Sequence, residues 1–590
     1  MARYMRKKSH QKNQRPWSFY LILTILLIVL IALGYRLFYL ETINHEFLRD
    51  KGLWESSHVN KVYPLRGSIY DRNGKPLAVT TTLYQLIFDP KVLKQYPDEY
   101  QKFDQLNIKD ITSQKINEII QKNPDSRYQV GGRFLTPQQA NKIRDQHIHG
   151  VYLERQPRSY YPTGEILGPL IGFTGYDNQG QAGLELSFNQ KLSAHPWQFS
   201  NQQDLKGQAI TFLPDQSAEK RQQAIPEDLN LTIDRHIQEI TYHALKKGVE
   251  HAQGKSGAAV VLNPKNGQIL AIASYPSFNP NVFAQHASPN TAERAMVHTV
   301  EPGSTIKPFI IARALETDDY QPDTTIDTSP GYYYIGKNKV RDDRNFGKLT
   351  LKGIIQKSSN VGVSKVARDL GPGKVGDFLA SLGFGQPATL DFPSATRGYL
   401  PNLNRLSDFG FATTAYGYGM NTSILQLAHA YSIFGNQGKL CPLSIVKQPQ
   451  QPFCPNVISP KVADEIKPML QSVVGPKGTG ILATIPGFAV GGKTGTSHRL
   501  AHGHYLKNSY NALFAGIAPL YHTKLVIVVW VEDPKRNHYY QYGGVSAAPI
   551  FAEIAKQSLQ YLGVAYQQSL QKFQDIQGNR QWLLQQIEKN

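Results

Sequence analysis

Cysteine is almost missing from this chain: Cys441 and Cys454 are the only two in 590 residues. That excludes a disulfide scaffold and a four-cysteine zinc site. Whether the two pair is open, because sequence separation does not show that their Cα atoms come within bridging distance. No segment repeats with a period of about 20–50 residues. No zinc-finger spacing and no run of arginine interleaved with aromatics favours nucleic acid. Acidic residues are outnumbered, 45 against 64 Lys and Arg, for a net charge of +19. Such a balance suits an anionic partner (lipid, cell-wall polymer or nucleic acid) and equally a plain solvated basic face. With 41% hydrophobic and 18% charged residues the chain is globular, and its length implies two or three domains.

Charge is also missing from residues 17–35, which are dominated by Leu and Ile. Nineteen helical residues span roughly 28 Å, close to the hydrocarbon thickness of a bilayer. Arg3, Arg6, Lys7, Lys8, Lys12 and Arg15 precede the run without an acidic residue among them. That bias places the N-terminus in the cytoplasm and everything after Tyr35 on the far side. Trp17, Tyr20 and Tyr35 suit the two interfaces. A cleaved signal peptide is the alternative, but the run is long and no A-x-A site follows it. An uncleaved single-pass anchor is expected.

Residues 36–54 keep a helical apolar spacing (Leu37, Leu40, Ile43, Phe47) and are expected to carry the helix outward. A turn-rich stretch at 66–74 precedes a short strand at 77–82. Residues 83–225 are polar and mixed, with turn signals at Tyr161-Pro-Thr-Gly164 and Asn178-Gln-Gly180. They hold no coherent set of catalytic side chains and read as a spacer or docking module. From 229 the pattern changes. Residues 229–234 read as a strand entering a helix at 235–250, with Asp234 as N-cap. Apolar runs at 258–262 and 268–274 flank Asn263-Pro-Lys-Asn-Gly267 as a hairpin. A second hairpin at 512–517 and 525–531 precedes a helix at 547–562. The fold class is α+β: a mostly antiparallel sheet assembled from both ends of a domain and covered by helices.

Three short motifs lie in that domain. The first is Ser304-Thr-Ile-Lys307, preceded by Glu301-Pro-Gly303; the second is Ser358-Ser-Asn360; the third is Lys493-Thr-Gly495, followed by Thr496. Pro302 and Gly303 mark a turn, and 305–317 has helical character, so Ser304 opens a helix whose positive end favours a developing alkoxide. Pro308 fits only in the opening turn. Lys307 shares the helical face of Ser304 and can act as its base if burial or a second cation lowers its pKa. Lys493 is the natural second cation. Singly, these motifs are an ordinary helix start, a capping turn and a loop. Together and in this order they form the signature of penicillin-binding proteins and class A β-lactamases.

The chain resembles a class B penicillin-binding protein, most closely the division-specific (septal) transpeptidase of Gram-negative bacteria. The likeness includes Arg66-Gly-Ser-Ile-Tyr-Asp-Arg-Asn-Gly74, Arg158-Ser-Tyr-Tyr-Pro162, Gly183-Leu-Glu185 and Leu231-Thr-Ile-Asp234. It continues through Glu301-Pro-Gly-Ser-Thr-Ile-Lys-Pro308, Lys357-Ser-Ser-Asn-Val-Gly-Val-Ser-Lys365, Tyr416-Gly-Tyr-Gly419, Gly492-Lys-Thr-Gly-Thr496 and Gly543-Gly-Val-Ser-Ala-Ala-Pro549. Departures fall at Pro393-Ser-Ala-Thr-Arg397 and Met420-Asn-Thr-Ser423, in loops or packing. The resemblance implies a cytoplasmic tail (1–16), a transmembrane helix (17–36), an elongated pedestal or docking module (37–228) and a penicillin-binding/β-lactamase-like transpeptidase domain (229–565). The Gln-rich extension (566–590) has no assigned counterpart.

What the resemblance implies for chemistry is acyl transfer at a D-Ala-D-Ala stem peptide without cofactor or metal. Ser304 is the nucleophile and Lys307 its base; Ser358 relays a proton to the leaving amine, and Asn360 holds Lys307 and the substrate amide. The backbone N–H groups of Ser304 and Thr496 form the oxyanion hole. Lys493, Thr494, Gly495 and Thr496 receive the substrate carboxylate. Implied partners are peptidoglycan stem peptides on lipid-linked nascent glycan, a SEDS-family glycan polymerase and other division proteins at the membrane, with no nucleic acid. An elongation-type class B transpeptidase is the nearest rival. A β-lactamase or β-lactam sensor shares the triple but needs no such pedestal. A bifunctional synthase would carry an acidic glycosyltransferase motif, which is not seen between anchor and catalytic domain, and a scaffold would lack one of the three motifs. His498, His502 and His504 read as a polar loop rather than a metal site.

Overall fold

In lipid every backbone N–H and C=O has to be satisfied within the segment, which leaves a helix as the form for a single span. Helix α1 (Trp17–Phe38) runs through a π-helical turn (Tyr39–Ile43) and resumes as α2 (His45–Ser56). The stretch long and apolar enough to cross a bilayer is Phe19–Ile43, 25 residues, none of it buried against protein. The outward continuation expected from the apolar spacing is present, with one interruption. The computed structural model describes residues 17–62, 65–108, 111–193, 197–203, 209–212, 226–282, 287–387, 392, 395–501, 503–566 and 570–589. The basic residues ahead of the span, Pro393 and Ser394 of the first departure, and His502 lie outside them.

The chain divides into two compact units, the described parts of Met1–Pro64 with Ala194–Ile225, and of Leu65–Ser193 with Pro226–Asn590. The first unit holds α1, α2 and three antiparallel strands in the order Ser57–Val62, Trp197–Gln203, Ala209–Phe212. The second begins with β1 (Ile69–Tyr70), β2 (Pro76–Phe88), β3 (Gln129–Leu135) and β4 (Val151–Tyr160), and β5 (Leu229–Asn230) pairs in parallel with β1. β2 is longer than the expected 77–82 because its far end, Gln85 to Phe88, is buried on both faces and loses the polar-apolar alternation. Around it Leu86, Phe88, Phe103, Ile116, Ile120, Leu135 and Ile143 form a separate core. Hydrophobic burial thus gives this polar-looking region a fold of its own.

Three stretches that carry the family resemblance meet at one buried ion pair. Arg66 Nε donates to Glu185 Oε2 at 2.7 Å, and its Nη1 to Asn189 Oδ1 at 2.7 Å and Ser193 Oγ at 2.9 Å. The Tyr161 hydroxyl donates to the other Glu185 oxygen at 3.2 Å. Burial pushes the Glu185 carboxyl up, and Arg66 opposes that. Removing one partner alone strands the other charge in the interior, at about 3–5 kcal/mol.

The elements that frame the site include α3 (Arg235–His251), β6 (Ser256–Asn263), β7 (Gln268–Tyr275), α4 (Lys307–Leu315), β8 (Tyr332–Ile335), β9 (Asn338–Arg341), α5 (Leu351–Lys357), α6 (Asn360–Leu370), α7 (Ile424–Gly435), α8 (Pro460–Val474), β10 (Gly491–Ala501), β11 (His504–Ala518), β12 (Leu525–Glu532), α9 (Ala548–Tyr561) and α10 (Leu570–Lys589). A five-stranded antiparallel sheet runs β7-β6-β12-β11-β10. Both faces are covered, which is why its strands read as unbroken apolar runs. Ala259, Val261, Ile527 and Val529 face Leu245 of α3 and Phe551 of α9. Ala258, Val260, Val526 and Val528 face Phe309 of α4 and Tyr431 of α7.

Asp234 caps α3 as expected, accepting from His236 N at 3.0 Å and Ile237 N at 3.3 Å. The expected strand at 229–234 is regular only over Leu229–Asn230; beyond it Leu231 bridges to Val446, and Thr232 Oγ1 donates to Ile269 O. Cys441 and Cys454 are joined in a disulfide. The Gln-rich extension forms α10, whose Ile587 is buried and accepts a bond at its carbonyl from Asn537 Nδ2 at 2.9 Å.

Candidate active site

The first motif folds more tightly than a simple helix start. Gly303 to Ile306 form a 3-10 turn in which the Lys307 N–H bonds Ser304 O, and α4 begins only at Lys307. Pro308 has no N–H to give Ser304 O in an α-helical i→i−4 bond, so the shorter bond from Lys307 closes the turn. Ser304 therefore sits one turn ahead of α4 rather than at its first residue. It is partly exposed, while Gly303, Thr305, Ile306 and Lys307 are buried. Gly303 has φ +53°, and a Cβ there would stand 3.0 Å from Thr496 O. A Cβ on Gly495 would stand 2.8 Å from Thr305 Cγ2. The Ser304 turn and the third motif touch through backbone that only glycine allows.

Ser358 closes α5 in the left-handed region, φ 60° and ψ 37°, and Ser359 caps α6 by accepting from Gly362 N at 2.9 Å. A left-handed serine is uncommon and persists where its surroundings hold it. Asp342 does the holding: its carboxylate accepts from Ser359 Oγ at 2.6 Å, Asn360 N at 2.5 Å and Val361 N at 3.0 Å. Asn360 Nδ2 donates to Arg341 O at 3.1 Å, which leaves its Oδ1 facing Lys307. Asp342→Asn keeps the shape but weakens charge-assisted bonds, each worth about 1.5–3 kcal/mol. The expected result is penicillin acylation slowed about tenfold or more, with a lower melting temperature; unchanged acylation would show that Asp342 does not position the second motif.

The third motif, which alone would read as a loop, lies inside strand β10. Residues 487–490 form a turn at Gly487 and an irregular stretch, and regular pairing starts at Gly491. Lys493, Thr494, Gly495 and Thr496 lie opposite Ala515, Phe514, Leu513 and Ala512, and the other edge of β10 is the edge of the sheet. That free edge lets an extended peptide add as a further strand.

Five of the side chains singled out from the sequence form one hydrogen-bonded chain. Lys307 Nζ donates to Ser358 O at 2.5 Å and Asn360 Oδ1 at 2.7 Å, and lies 3.2 Å from Ser358 Oγ. Lys493 Nζ donates to the same Ser358 Oγ at 2.9 Å and to Thr494 O at 3.2 Å. Thr494 Oγ1 meets Thr479 Oγ1 at 2.7 Å. Ser304 Oγ has no hydrogen-bond partner among the described residues, and Thr496 adjoins it through Gly303. Both lysines are fully buried, and neither forms an ion pair among the described residues. Burial pushes Lys307 down to about 7, with Asp342 and Asp343 opposing. Lys493 is held well below the usual amine range by burial and then by Lys307. Two ammonium groups bridged by one hydroxyl repel, so each disfavours the charged form of the other.

Residues given no role from the sequence also matter. Asp342 and Thr479 carry no motif signal; each acts across loops. Glu301 Oε1 accepts from Gly419 N and Tyr505 OH, both at 2.9 Å, and Ser497 Oγ donates to Glu301 O at 2.9 Å. Through its carboxylate to Tyr505 and its carbonyl to Ser497, Glu301 fastens the β10–β11 hairpin to the Ser304 turn. His498 and His504 lie on strands β10 and β11, not in a loop, and His498 packs on Tyr510. Among the described residues no group of three His, Cys, Asp or Glu is placed to hold a metal.

Residues 257–556 match the penicillin binding protein transpeptidase domain, and residues 61–224 the penicillin-binding protein dimerisation domain. A probable peptidoglycan D,D-transpeptidase PbpC of Pseudomonas aeruginosa is 35% identical over 94% of this chain and 96% of its own. The peptidoglycan D,D-transpeptidase FtsI of Escherichia coli K12 is 32% identical over 93% of this chain and 92% of its own. Penicillin binding protein 3 of Mycobacterium tuberculosis, solved with aztreonam, is 24% identical, matches 87% of this chain and 99% of its own, and has a TM-score of 0.65, a likeness of fold. The chain belongs to the class B penicillin-binding proteins, peptidoglycan D,D-transpeptidases in which a dimerisation module precedes the transpeptidase domain. Within them it is related to transpeptidases of the FtsI type.

Proposed function

We propose that Ser304 is the acylated residue and that the protein cross-links septal wall during cell division. Ser304 Oγ attacks the carbonyl of the penultimate D-Ala, the C–N bond to the terminal D-Ala breaks, and an acyl-enzyme remains. Lys307, as neutral amine, takes the serine proton. The Ser304 and Thr496 N–H groups stabilise the oxyanion, each donor worth about 3–4 kcal/mol. Lys493 with Thr494, Gly495 and Thr496 receives the substrate carboxylate, and Ser358 passes a proton to the leaving amine. The observation that carries this reading is the chain Lys307 Nζ–Ser358 Oγ–Lys493 Nζ, with links of 3.2 and 2.9 Å. Asp342 and Asp343 favour the ammonium form of Lys307. A carboxylate arriving at Lys493 favours the charged form there, linked to Lys307 through Ser358, so substrate binding itself helps free the base. Mass mapping of a penicillin adduct tests the reading: one penicilloyl group on a peptide containing Ser304 is expected, and an adduct elsewhere would end it.

The septal role is supported by relatives such as FtsI. Depletion is expected to give filaments; rounded cells would favour an elongation role. The apolar helix supports single-pass anchoring in the inner membrane, with a cytoplasmic tail (1–16) and a periplasmic catalytic domain (229–565). We assign residues 37–228 to a pedestal that docks a SEDS-family glycan polymerase and other division proteins.

A further inference from the structure

Three cations, Arg344, Lys357 and Lys477, flank the second and third motifs in the sequence. Lys357 immediately precedes Ser358, and its Nζ donates to Lys477 O at 2.9 Å. Lys477 is two residues from Thr479, the partner of Thr494. Burial pushes the Lys357 ammonium below its usual range, and the charges of Arg344 and Lys477 press it further, which places both nearby. None of the three forms an ion pair among the described residues.

The β8–β9 ribbon adjoins Arg344: a Cβ on Gly331, just before β8, would stand 3.0 Å from Arg344 O. Tyr332 lies opposite Arg341 and Tyr334 opposite Lys339, so the four share one side of the ribbon, and all are exposed. Lys339 Nζ sits 3.7 Å from the Tyr332 ring centre. The other side is anchored: Ile335 and Val340 pack with Val361, and Tyr333 OH donates to Ser364 Oγ at 2.9 Å. Residues 331–360 contain seven Lys and Arg against two carboxylates, Asp342 and Asp343. Asp342 is committed to α6 and the second motif. A solvated basic face spreads its charges, whereas here Lys357, Lys477 and Arg344 act on one another beside the second motif. Such crowding is unfavourable until an anion completes it.

We propose that this face, from Lys357, Lys477 and Arg344 along the Tyr332–Lys339 ribbon, docks the acceptor: the carboxylate-bearing stem peptide of a second peptidoglycan strand. The proposal rests on the acyl-enzyme reading above. The acceptor nitrogen has to enter where the leaving D-Ala nitrogen departed. In that reading the departing carboxylate lies at Lys493 and Thr494, so the acceptor approaches past Ser358 and Thr479, beside Lys357 and Lys477. The amine nitrogen bonds the acyl carbon, the ester bond to Ser304 Oγ breaks, and the amine proton returns to that oxygen by way of Lys307. Attack requires a neutral amine, and neighbouring cations lower the pKa of an ammonium. One face thus holds the acceptor's carboxylates and favours its reactive form.

The test uses the full-length protein in detergent, a thioester donor ending in D-alanine, and a stem peptide bearing a free amine and carboxylates as acceptor. In the Arg344→Ala/Lys477→Ala and Tyr334→Ala/Lys339→Ala variants, the acceptor KM is expected to rise about tenfold and to lose its salt dependence. Penicillin acylation of Ser304 should stay within about twofold, since these side chains act after that step. An unchanged acceptor KM would overturn the proposal. Joint loss of acylation and aminolysis would overturn it too, by placing the side chains in the donor half or the fold. A wild-type protein that never acylates at Ser304 would instead refute the underlying chemistry.

Discussion

Ser304→Ala is expected to abolish covalent labelling by a penicillin while leaving the melting temperature within about 1–2 °C. The fold has little to lose. Ser304 Oγ makes no hydrogen bond among the described residues, and its side chain is partly exposed in a turn closed by backbone bonds and by the fit of Gly303 against Thr496. The chemistry has everything to lose, because the proposed nucleophile is the hydroxyl of the turn that fits against Thr496 and runs into Lys307. Ser358 already bridges the two lysines and cannot leave without breaking that link. Labelling that survives the substitution would remove Ser304 from the mechanism.

Lys307→Ala should slow acylation by about 100- to 10,000-fold, the usual worth of a positioned general base. The pH profile gives a sharper result. With Lys307 lowered to about 7, the ammonium form dominates below that pH and cannot accept the serine proton. Acylation should therefore fall about tenfold per pH unit below the pKa and level off above it. Lys307→Arg keeps a charge that never deprotonates and should be inactive across the whole range. A rate flat with pH, or an active arginine variant, would show that this amine is not the base. Asp342 and Asp343 hold the Lys307 charge in place, so removing Asp342 should also move the profile to lower pH.

Each motif of the site is legible in the chain because it packs its chemistry into three or four neighbouring residues. Lys307 follows Ser304 by one turn, and Asn360 follows Ser358 at a helix start. The meeting of Lys307 with Lys493 is an inference of family likeness, since nothing local joins 307 to 493. Asp342 escapes notice for the same reason: it acts from the end of a short ribbon on a helix start whose cap, Ser359, already looks complete. Strand boundaries mislead where burial is two-sided. β2 and the five-stranded sheet both show it, the first hidden by mixed polarity and the second betrayed by unbroken Val and Ile. The 3-10 turn at Gly303 to Ile306 follows from the missing N–H of Pro308, a local rule that reads at first as a mere helix start. The Cys441–Cys454 bond depends on a Cα approach of 4.2 Å that no spacing foretells.

The middle of the large sheet joins Leu262 to Val526. A ribosome therefore delivers the first hairpin long before its neighbour exists, and the growing chain must wait with an open, greasy border. Pairings so distant along the chain are slow to form. Any polypeptide cut short before residue 493 keeps Ser304 but lacks Lys493 and strand β10, so truncation is expected to yield silence rather than a weakened enzyme. What it leaves is a bare strand edge prone to clumping. Completion of synthesis is thus itself a safeguard against premature wall chemistry.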